Sequence, residues 1–141
     1  AMLDQPVDWP ALFEGYEATV DWPGGGVWDQ IAAAYPDAII LLSTRASAEE
    51  WWRSASRTIF PVLGMPPPEG MEAWQAMTEA MVRRLTPDVT DAAATMAGYE
   101  RHNERVRREA PADRLVEWQP TDPFPVTNTT EEFRARAGMD P

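Results

Sequence analysis

The sequence predicts an α/β fold with a parallel sheet, and three observations lead to this prediction. Residues 38–43 (AIILLS) form an uninterrupted apolar run of strand length, which is typical of a strand covered on both faces. Further strand patterns occur at 16–23 (YEATVDWP) and 114–118 (RLVEW). Helical stretches lie between the strand patterns, and this alternation favours a three-layer arrangement with helices on both sides of the sheet.

Capping residues and prolines define the helices. Pro36 ends one of them, and Ser47 and Glu50 have the spacing of a capping box at the start of the next. Thr86 followed by Pro87 predicts another helix start, because proline suits the first helical position. The predicted helices cover 1–15, 27–36, 48–60, 70–85, 87–109 and 131–138, and a loop covers 61–70. The 141 residues are predicted to form a single domain with a mostly helical middle section.

Composition and charge exclude several classes of function. The chain has 23 acidic and 12 basic residues, and its net charge of −11 disfavours nucleic acid as a partner. With no cysteine and a single histidine, it lacks the residues for a thiolate or multi-histidine metal site, and we expect no metal cofactor. The sequence shows no membrane-span pattern and no signal-peptide pattern. These features together favour a cytoplasmic protein.

An arginine and a serine near the end of the apolar strand form the first candidate site. Arg45 follows the strand at 38–43, and Ser54 lies about two turns into the next predicted helix. Ligands of open α/β sheets bind at the carboxyl ends of strands, where a helix N-terminus also favours anions. A guanidinium and a hydroxyl at this corner could bind a phosphate together. The alternative is that Arg45 pairs with Glu49 or Glu50.

Two more titratable residues are candidates for proton transfer. Asp21 ends the first predicted strand at the same sheet edge as Arg45, where its carboxylate could orient or deprotonate a hydroxyl. A turn or capping role explains Asp21 equally well. His102 is the only histidine and lies at the border of the apolar stripe of the last long helix. It could act as a general base near neutral pH, or it could be a hydrogen-bonded border residue.

Three other patterns have simpler explanations. The glycines at 24–26 could cradle an anion, but they lack the spacing of a known phosphate loop, which favours a flexible turn. The methionine and tryptophan positions 71, 74, 77 and 81 recur at helical spacing and predict a packed face. The helix at 87–109 also carries a basic face, which either pairs with neighbouring glutamates or forms one wall of an anion site. Its arginines are Arg101, Arg105 and Arg108.

The ordered set of segments resembles the bacterial and fungal P-loop sulfotransferase-like family. The segments are GYEATVDWP (15–23), YPDAIILLSTR (35–45), WWRSASRTIF (51–60), YERHNERVRR (99–108), RLVEW (114–118) and PFPVTNTTEEFR (123–134). The resemblance implies transfer of a sulfuryl group from 3′-phosphoadenosine 5′-phosphosulfate to a hydroxyl or amine of a small-molecule or lipid acceptor. It implies that Arg45 and Ser54 hold the 3′-phosphate. It also implies that Asp21 accepts the proton of the acceptor, with His102, the general-base candidate named above, as the second choice.

The chain departs from the family pattern at its start. The family begins with a strand and a Gly-rich loop that binds the 5′-phosphosulfate, and nothing before residue 15 matches them. That strand would lie between the strands at 38–43 and 114–118, so its absence would leave unpaired backbone groups within the sheet. We therefore expect a longer biological protein, or else a rearranged sheet or strand exchange in a homo-oligomer.

Two alternative functions stay open at this point. One is a non-catalytic interaction or dimerisation protein built on a degraded P-loop scaffold, which the lack of a Gly-rich loop favours. The other is a phosphotransferase of the nucleotide-kinase type, which ranks last because no Walker lysine is present.

Overall fold

The structure is a computed structural model that describes residues 6–63 and 65–120. The protein is a mixed α/β chain with a long helical middle section, as predicted. In chain order, the elements are α1 (Trp9–Leu12), a 3-10 turn (Gly24–Val27), α2 (Trp28–Ala34), β1 (Ile40–Ser43), α3 (Ala48–Leu63), α4 (Glu72–Leu85), α5 (Ala92–Glu109) and β2 (Leu115–Trp118). The helix predicted at 131–138 lies outside the described residues.

The two strands pair directly in a parallel sheet. Ile40 of β1 lies opposite Leu115 of β2, and the register continues to the ends of both strands. Beyond β1, the Thr44 N–H donates to the Trp118 carbonyl at 2.9 Å. The family resemblance implied a further strand between these two, but direct pairing satisfies the backbone groups that such a strand would have paired. Between β1 and β2 the described sheet therefore has no gap.

One face of the sheet carries the described core. Leu42 of β1 is buried against Val106 of α5 and against Ala110, the residue that follows α5. Partly buried apolar residues border this cluster, namely Trp28, Ile40 and Leu115. On the opposite face Leu41 remains 39% exposed. Within the described residues, β1 is thus covered on one face, and the prediction of a strand buried on both faces is wrong there, because none of the described elements packs over Leu41.

Residues 16–23 do not form the predicted strand. Their backbone is irregular, and two of their apolar side chains face solvent, with Tyr16 73% and Val20 83% exposed. A short segment gains strand hydrogen bonds only where it reaches the edge of a sheet. The sheet of the described chain consists of β1 and β2, so this segment has no partner there.

Within the described residues, the helix predicted at 1–15 covers only Trp9–Leu12, and two further helix boundaries differ from the prediction. Helix α3 continues past residue 60 through Pro61, because a proline in the last turn of a helix removes only one backbone hydrogen bond. Helix α5 begins after Asp91, whose carboxylate accepts the Ala94 N–H at 3.0 Å. This cap satisfies an orphan donor of the first turn. The start predicted at Thr86 and Pro87 is therefore wrong.

A glycine sets the distance between α4 and α5. Gly98 is buried, and a Cβ atom placed on it would lie 2.1 Å from the carbonyl oxygen of Leu85. No side chain fits in that space, so the absence of a Cβ atom lets the two helices approach. This contact fixes α5 in the position from which it supports the strands.

Candidate functional site

A shallow cleft of about 320 Å³ lies beside the N-terminal half of α3, next to the exit of β1. Its lining is polar and comes from the turn after β1 and from one face of α3. The lining residues are Arg45, Glu50, Arg53, Ser54, Arg57 and Thr58. The α3 members follow the i, i+3, i+4, i+7 spacing of a single helix face. The structure thus brings Arg45 and Ser54, the two predicted phosphate ligands, into one cleft.

The corner between β1 and α3 is held by local and distant hydrogen bonds. The Ser47 hydroxyl caps α3 by accepting the Glu50 N–H at 3.2 Å, so the predicted N-cap is confirmed. The Arg45 N–H donates to the Tyr99 hydroxyl of α5 at 2.8 Å. The Tyr99 ring also stacks on Trp51 of α3, with ring centroids 4.5 Å apart. Helix α5 therefore fixes the backbone from which the Arg45 side chain extends.

The guanidinium groups of the cleft lack partners in the described part of the chain. Ten of the twelve arginines lie in that part, and seven of them bind a carboxylate or a backbone carbonyl. These seven are Arg83, Arg84, Arg101, Arg105, Arg107, Arg108 and Arg114. The guanidiniums of Arg45, Arg53 and Arg57 form no ion pair or hydrogen bond with residues 6–63 or 65–120. The pairing of Arg45 with Glu49 or Glu50 is not formed.

The charge of the lining is positive in a strongly acidic protein. Three guanidiniums and the Glu50 carboxylate give the cleft a formal charge of +2, against −11 for the whole chain. Such a local excess of one sign in a cleft attracts ions of the other sign. Ser54 and Thr58 add hydroxyls, of which the Thr58 hydroxyl donates to the Ser54 carbonyl at 2.9 Å. The lining has the chemistry of an oxyanion site.

Asp21 lies outside the residues that line the cleft. It has a φ of +60° and belongs to the turn before the 3-10 segment. Its carboxylate accepts the N–H of Trp22 at 2.8 Å, and its carbonyl accepts the N–H of Gly25 at 2.8 Å. Asp tolerates this left-handed conformation because its short side chain bonds the local backbone. Asp21 does not end a strand, so the reason for placing it beside Arg45 at a sheet edge no longer holds.

His102 lies on α5, one helical turn after Tyr99, and also does not line the cleft. Its side chain is partly buried. Burial first, and then the positive charge of Arg105, lower the pKa of His102 below its usual value. The imidazole is therefore neutral at pH 7.

The basic face of α5 is paired. Arg105 donates to Asp29 of α2 at 2.6 Å and to Glu109 at 2.7 Å, and it lies 5.8 Å from the ring centre of Trp28. The Nε–H of Arg107 donates to Glu117 of β2 at 2.9 Å. These contacts favour the simpler explanation of the basic face, in which the arginines attach α5 to its neighbours.

A second concavity, of about 540 Å³, is mainly apolar and lies between α3 and α4. The loop after α3 contributes Met65, which is 59% exposed, and α4 contributes Trp74, which is 47% exposed. The predicted packed face of α4 is only partly confirmed, because Met81 is 1% exposed while Met71 is 40% exposed. We call this surface the apolar groove.

A metal site and a membrane-spanning helix are both absent from the residues that the structure describes. Residues 6–63 and 65–120 contain no group of three or more acidic or histidine side chains placed to hold a metal ion. None of the helices within these ranges is long and apolar enough to cross a membrane.

Comparison with known proteins identifies the family. The protein-family model of a sulfotransferase domain matches residues 3–125, which is most of the chain. The chain belongs to this sulfotransferase-like family. A relative from Aspergillus versicolor, the Ava biosynthesis cluster protein M, is 28% identical over 130 residues, a match that covers 83% of this chain and 50% of the relative. The chain thus spans about half the length of the curated relative it matches. The cleft lined by Arg45, Arg53 and Arg57, which we call the arginine cleft, lies within the matched residues, and so does β1.

Arg53 and Arg57 are the residues that sequence reasoning missed. They lie on the same face of α3 as Ser54, at positions −1 and +3 from it, and this spacing is visible in the sequence. The role of Tyr99 had no such signal, because its partner Arg45 is 54 residues away.

Proposed function

We propose that this sulfotransferase-family chain binds the 3′-phosphate of 3′-phosphoadenosine 5′-phosphosulfate in the arginine cleft. The observation that carries the proposal is that three guanidiniums, which have no partner among the described residues, line one cleft next to the exit of a parallel strand. Elsewhere in the described chain, arginines have partners, so the cleft retains free hydrogen-bond donors for a ligand. The sheet of the family enters the proposal only through β1 and β2, which pair directly here and leave no place between them for the P-loop strand of the family.

Arg45 and Ser54 have distinct roles in this proposal. The planar guanidinium of Arg45 donates two parallel hydrogen bonds to phosphate oxygens, a geometry that a lysine ammonium does not provide. The Ser54 hydroxyl donates a third hydrogen bond from the helix face. The Tyr99 hydroxyl keeps the Arg45 backbone in place before the ligand arrives. A site ordered in advance loses less entropy on binding.

The sulfuryl group of the bound donor passes to a hydroxyl or amine of a small-molecule or lipid acceptor. The bond from sulfur to the 5′-phosphate oxygen breaks, a bond from sulfur to the acceptor oxygen or nitrogen forms, and 3′,5′-adenosine diphosphate leaves. The contribution of this chain is to position the nucleotide and to stabilise its charge. His102 is the better candidate for accepting the proton of the acceptor, because it is neutral at pH 7 and follows Tyr99 by one turn. Asp21 is the weaker candidate, since its carboxylate already accepts a backbone hydrogen bond.

Titration of the full chain with 3′,5′-adenosine diphosphate tests the nucleotide site. We expect saturable binding, and we expect Arg45→Ala to weaken it by roughly 10- to 100-fold, the usual worth of a charge-assisted bidentate contact. Arg108→Ala is the matched control, because Arg108 is also exposed but pairs with Glu109 outside the cleft. Absence of binding, or equal affinities of the two variants, would contradict the proposal.

The apolar groove supports a second candidate function, a protein-interaction or dimerisation role. Exposed Met and Trp side chains are enriched at interfaces, and Met65 and Trp74 lie in one groove. Light scattering tests this function. A stable dimer without affinity for nucleotides would favour it over the enzyme.

A further inference from the structure

We propose that Arg53 and Arg57 tune the cleft for a doubly charged phosphate monoester and against a singly charged sulfate ester, and that Glu50 moderates this preference. The inference deepens the proposed nucleotide site and rests on it, since it assigns that site a preference and two further ligands. Arg45 and Ser54 alone would bind either ester. The additional residues set the net charge that the ligand has to match.

The geometry places the additional guanidiniums on the same ligand. Arg53 precedes Ser54, and Arg57 lies one helical turn after Arg53, so both line the cleft that Arg45 closes from the β1 side. Neither guanidinium binds a carboxylate or carbonyl within residues 6–63 and 65–120. Three like charges around one space repel one another, and an anion between them relieves that repulsion.

Charge matching selects the class of anion. The three arginines and Glu50 sum to +2. A phosphate monoester carries a charge of about −2 above its second pKa, which is near 6. A sulfate ester has only one ionisable oxygen and carries −1. The cleft and a phosphate monoester therefore neutralise each other, whereas a sulfate ester leaves one positive charge unmatched.

Glu50 weakens the attraction and prevents an excess of positive charge. It lies in the first turn of α3, where its neighbour Glu49 points outside the cleft lining. The two glutamates share the same helix turn and the same exposure to solvent. Glu49→Gln is thus a matched control for Glu50→Gln, because it removes the same charge from the same turn.

Methyl phosphate and methyl sulfate at pH 8 test the inference on the full chain without any nucleotide. The esters have similar size and differ by one charge. Dissociation constants come from NMR titration of the arginine Nε–H signals. We expect methyl phosphate to bind at least roughly tenfold more tightly than methyl sulfate. We expect Arg53→Gln and Arg57→Gln each to weaken methyl phosphate by roughly 3- to 10-fold. The control Arg83→Gln, on the exposed surface of α4, should change little.

The glutamate pair tests the charge argument separately. Glu50→Gln should tighten methyl phosphate binding by roughly 2- to 5-fold, while Glu49→Gln should change it less. All the substituted side chains are exposed, so we expect every variant to fold. Circular dichroism checks that they do.

The outcomes separate the inference from the proposed function. Equal binding of the two esters, or no effect of Arg53→Gln and Arg57→Gln beyond that of Arg83→Gln, overturns the inference. If Arg45→Ala still abolishes binding of 3′,5′-adenosine diphosphate in that case, the nucleotide site stands. Arginine-dependent preference for methyl phosphate without any binding of that nucleotide would support the phosphate cleft and reject the donor assignment.

Discussion

Helices α3 and α5 both carry arginines, but the two sets have different surroundings. Three of the four arginines of α5 bind carboxylates on α2, on β2 and on their own helix, and the fourth, Arg101, donates to the Leu85 carbonyl. Those of α3 face a cleft with Arg45 and find no partner in the described chain. In a protein with 23 acidic residues, carboxylates are plentiful, so the unpaired set is the exception. The comparison teaches that a basic helix face indicates a ligand only when its charges lack partners within the protein.

Two triple variants test this contrast and should show the largest effects. Replacing Arg45, Arg53 and Arg57 with Gln should weaken 3′,5′-adenosine diphosphate binding by more than roughly 100-fold, since three charged contacts are lost. The melting temperature should stay equal or rise, because like charges are removed. Replacing three arginines of α5 with Gln should instead affect stability and not nucleotide binding. This second set consists of Arg105, Arg107 and Arg108.

The α5 triple variant should lower the melting temperature and leave nucleotide affinity unchanged. Its loss of stability follows from the carboxylates of α2 and β2, which then have no cation beside them. Calorimetric scans and titrations of both variants provide the comparison. Loss of nucleotide binding in the α5 variant alone would reverse the assignment of the two faces.

Tyr99→Phe should have the next largest effect, because it removes the hydrogen bond that joins the Arg45 backbone to α5 at the cleft. The Arg45 N–H would lose its acceptor, at a cost of about 1–2 kcal/mol in unfolding free energy. The stacking on Trp51 would remain. We also expect several-fold weaker nucleotide binding, since the Arg45 backbone would be less well ordered. Urea unfolding and titration measure the two effects, and unchanged values for both would show that the hydrogen bond is dispensable.

Arg107→Ala should produce a smaller loss, confined to stability. The Arg107–Glu117 pair joins α5 to β2, but both side chains are more than one third exposed, so solvent screens the attraction. We expect a decrease of about 0.5 kcal/mol in unfolding free energy and no change in nucleotide affinity. Glu117→Gln should give a similar value, and a double variant measures the coupling between the two residues. A large effect of Arg107→Ala on binding would place α5 at the anion site.

His102 should give the smallest effect, a dependence of stability on pH near neutrality. Burial lowers the pKa of His102 in the folded protein, so below about pH 6.5 the unfolded chain binds more protons than the folded one. Stability should therefore fall as the pH decreases through 6.5 towards the folded pKa. His102→Gln should remove this slope.

The carboxylates provide an internal reference for the same pH scan. The hydrogen bond from Arg107 lowers the pKa of Glu117, so the ionised carboxylate stabilises the fold above about pH 4.5, and this contribution is lost as the pH falls further. The two groups thus act in different pH windows. A slope near pH 6.5 that persists in His102→Gln would assign it to another group.

The sequence predicted the local features of the site and missed the distant ones. The apolar run, the Ser47 cap and the helix after it are determined by neighbouring residues, and they place Arg45 and Ser54 in one cleft. The sequence could not predict that the Arg45 guanidinium has no partner in the described chain, because Glu49 and Glu50 are close enough in sequence to pair with it. The contact with Tyr99 depends on how α5 packs, which no local pattern encodes.

The errors in the predicted fold have the same origin. The strand predicted at 16–23 had a suitable composition, but strand formation requires a neighbouring sheet edge. The start predicted for α5 at Thr86 had a suitable cap, but Asp91 supplied another one nearer to the helix. Direct pairing of β1 with β2 depends on which strands are present, and this is a property of the whole fold.

The hydrogen bond between Arg45 and Tyr99 has a consequence for the order of folding. Every described residue that lines the cleft comes from residues 45–58, yet the anchor of that segment lies 54 residues away along the chain. Closing so long a loop costs entropy before the contact stabilises anything. A peptide covering β1 and α3 would therefore carry all the described lining side chains without their arrangement. The side chains of the cleft reach their native arrangement only after α5 has packed against this segment.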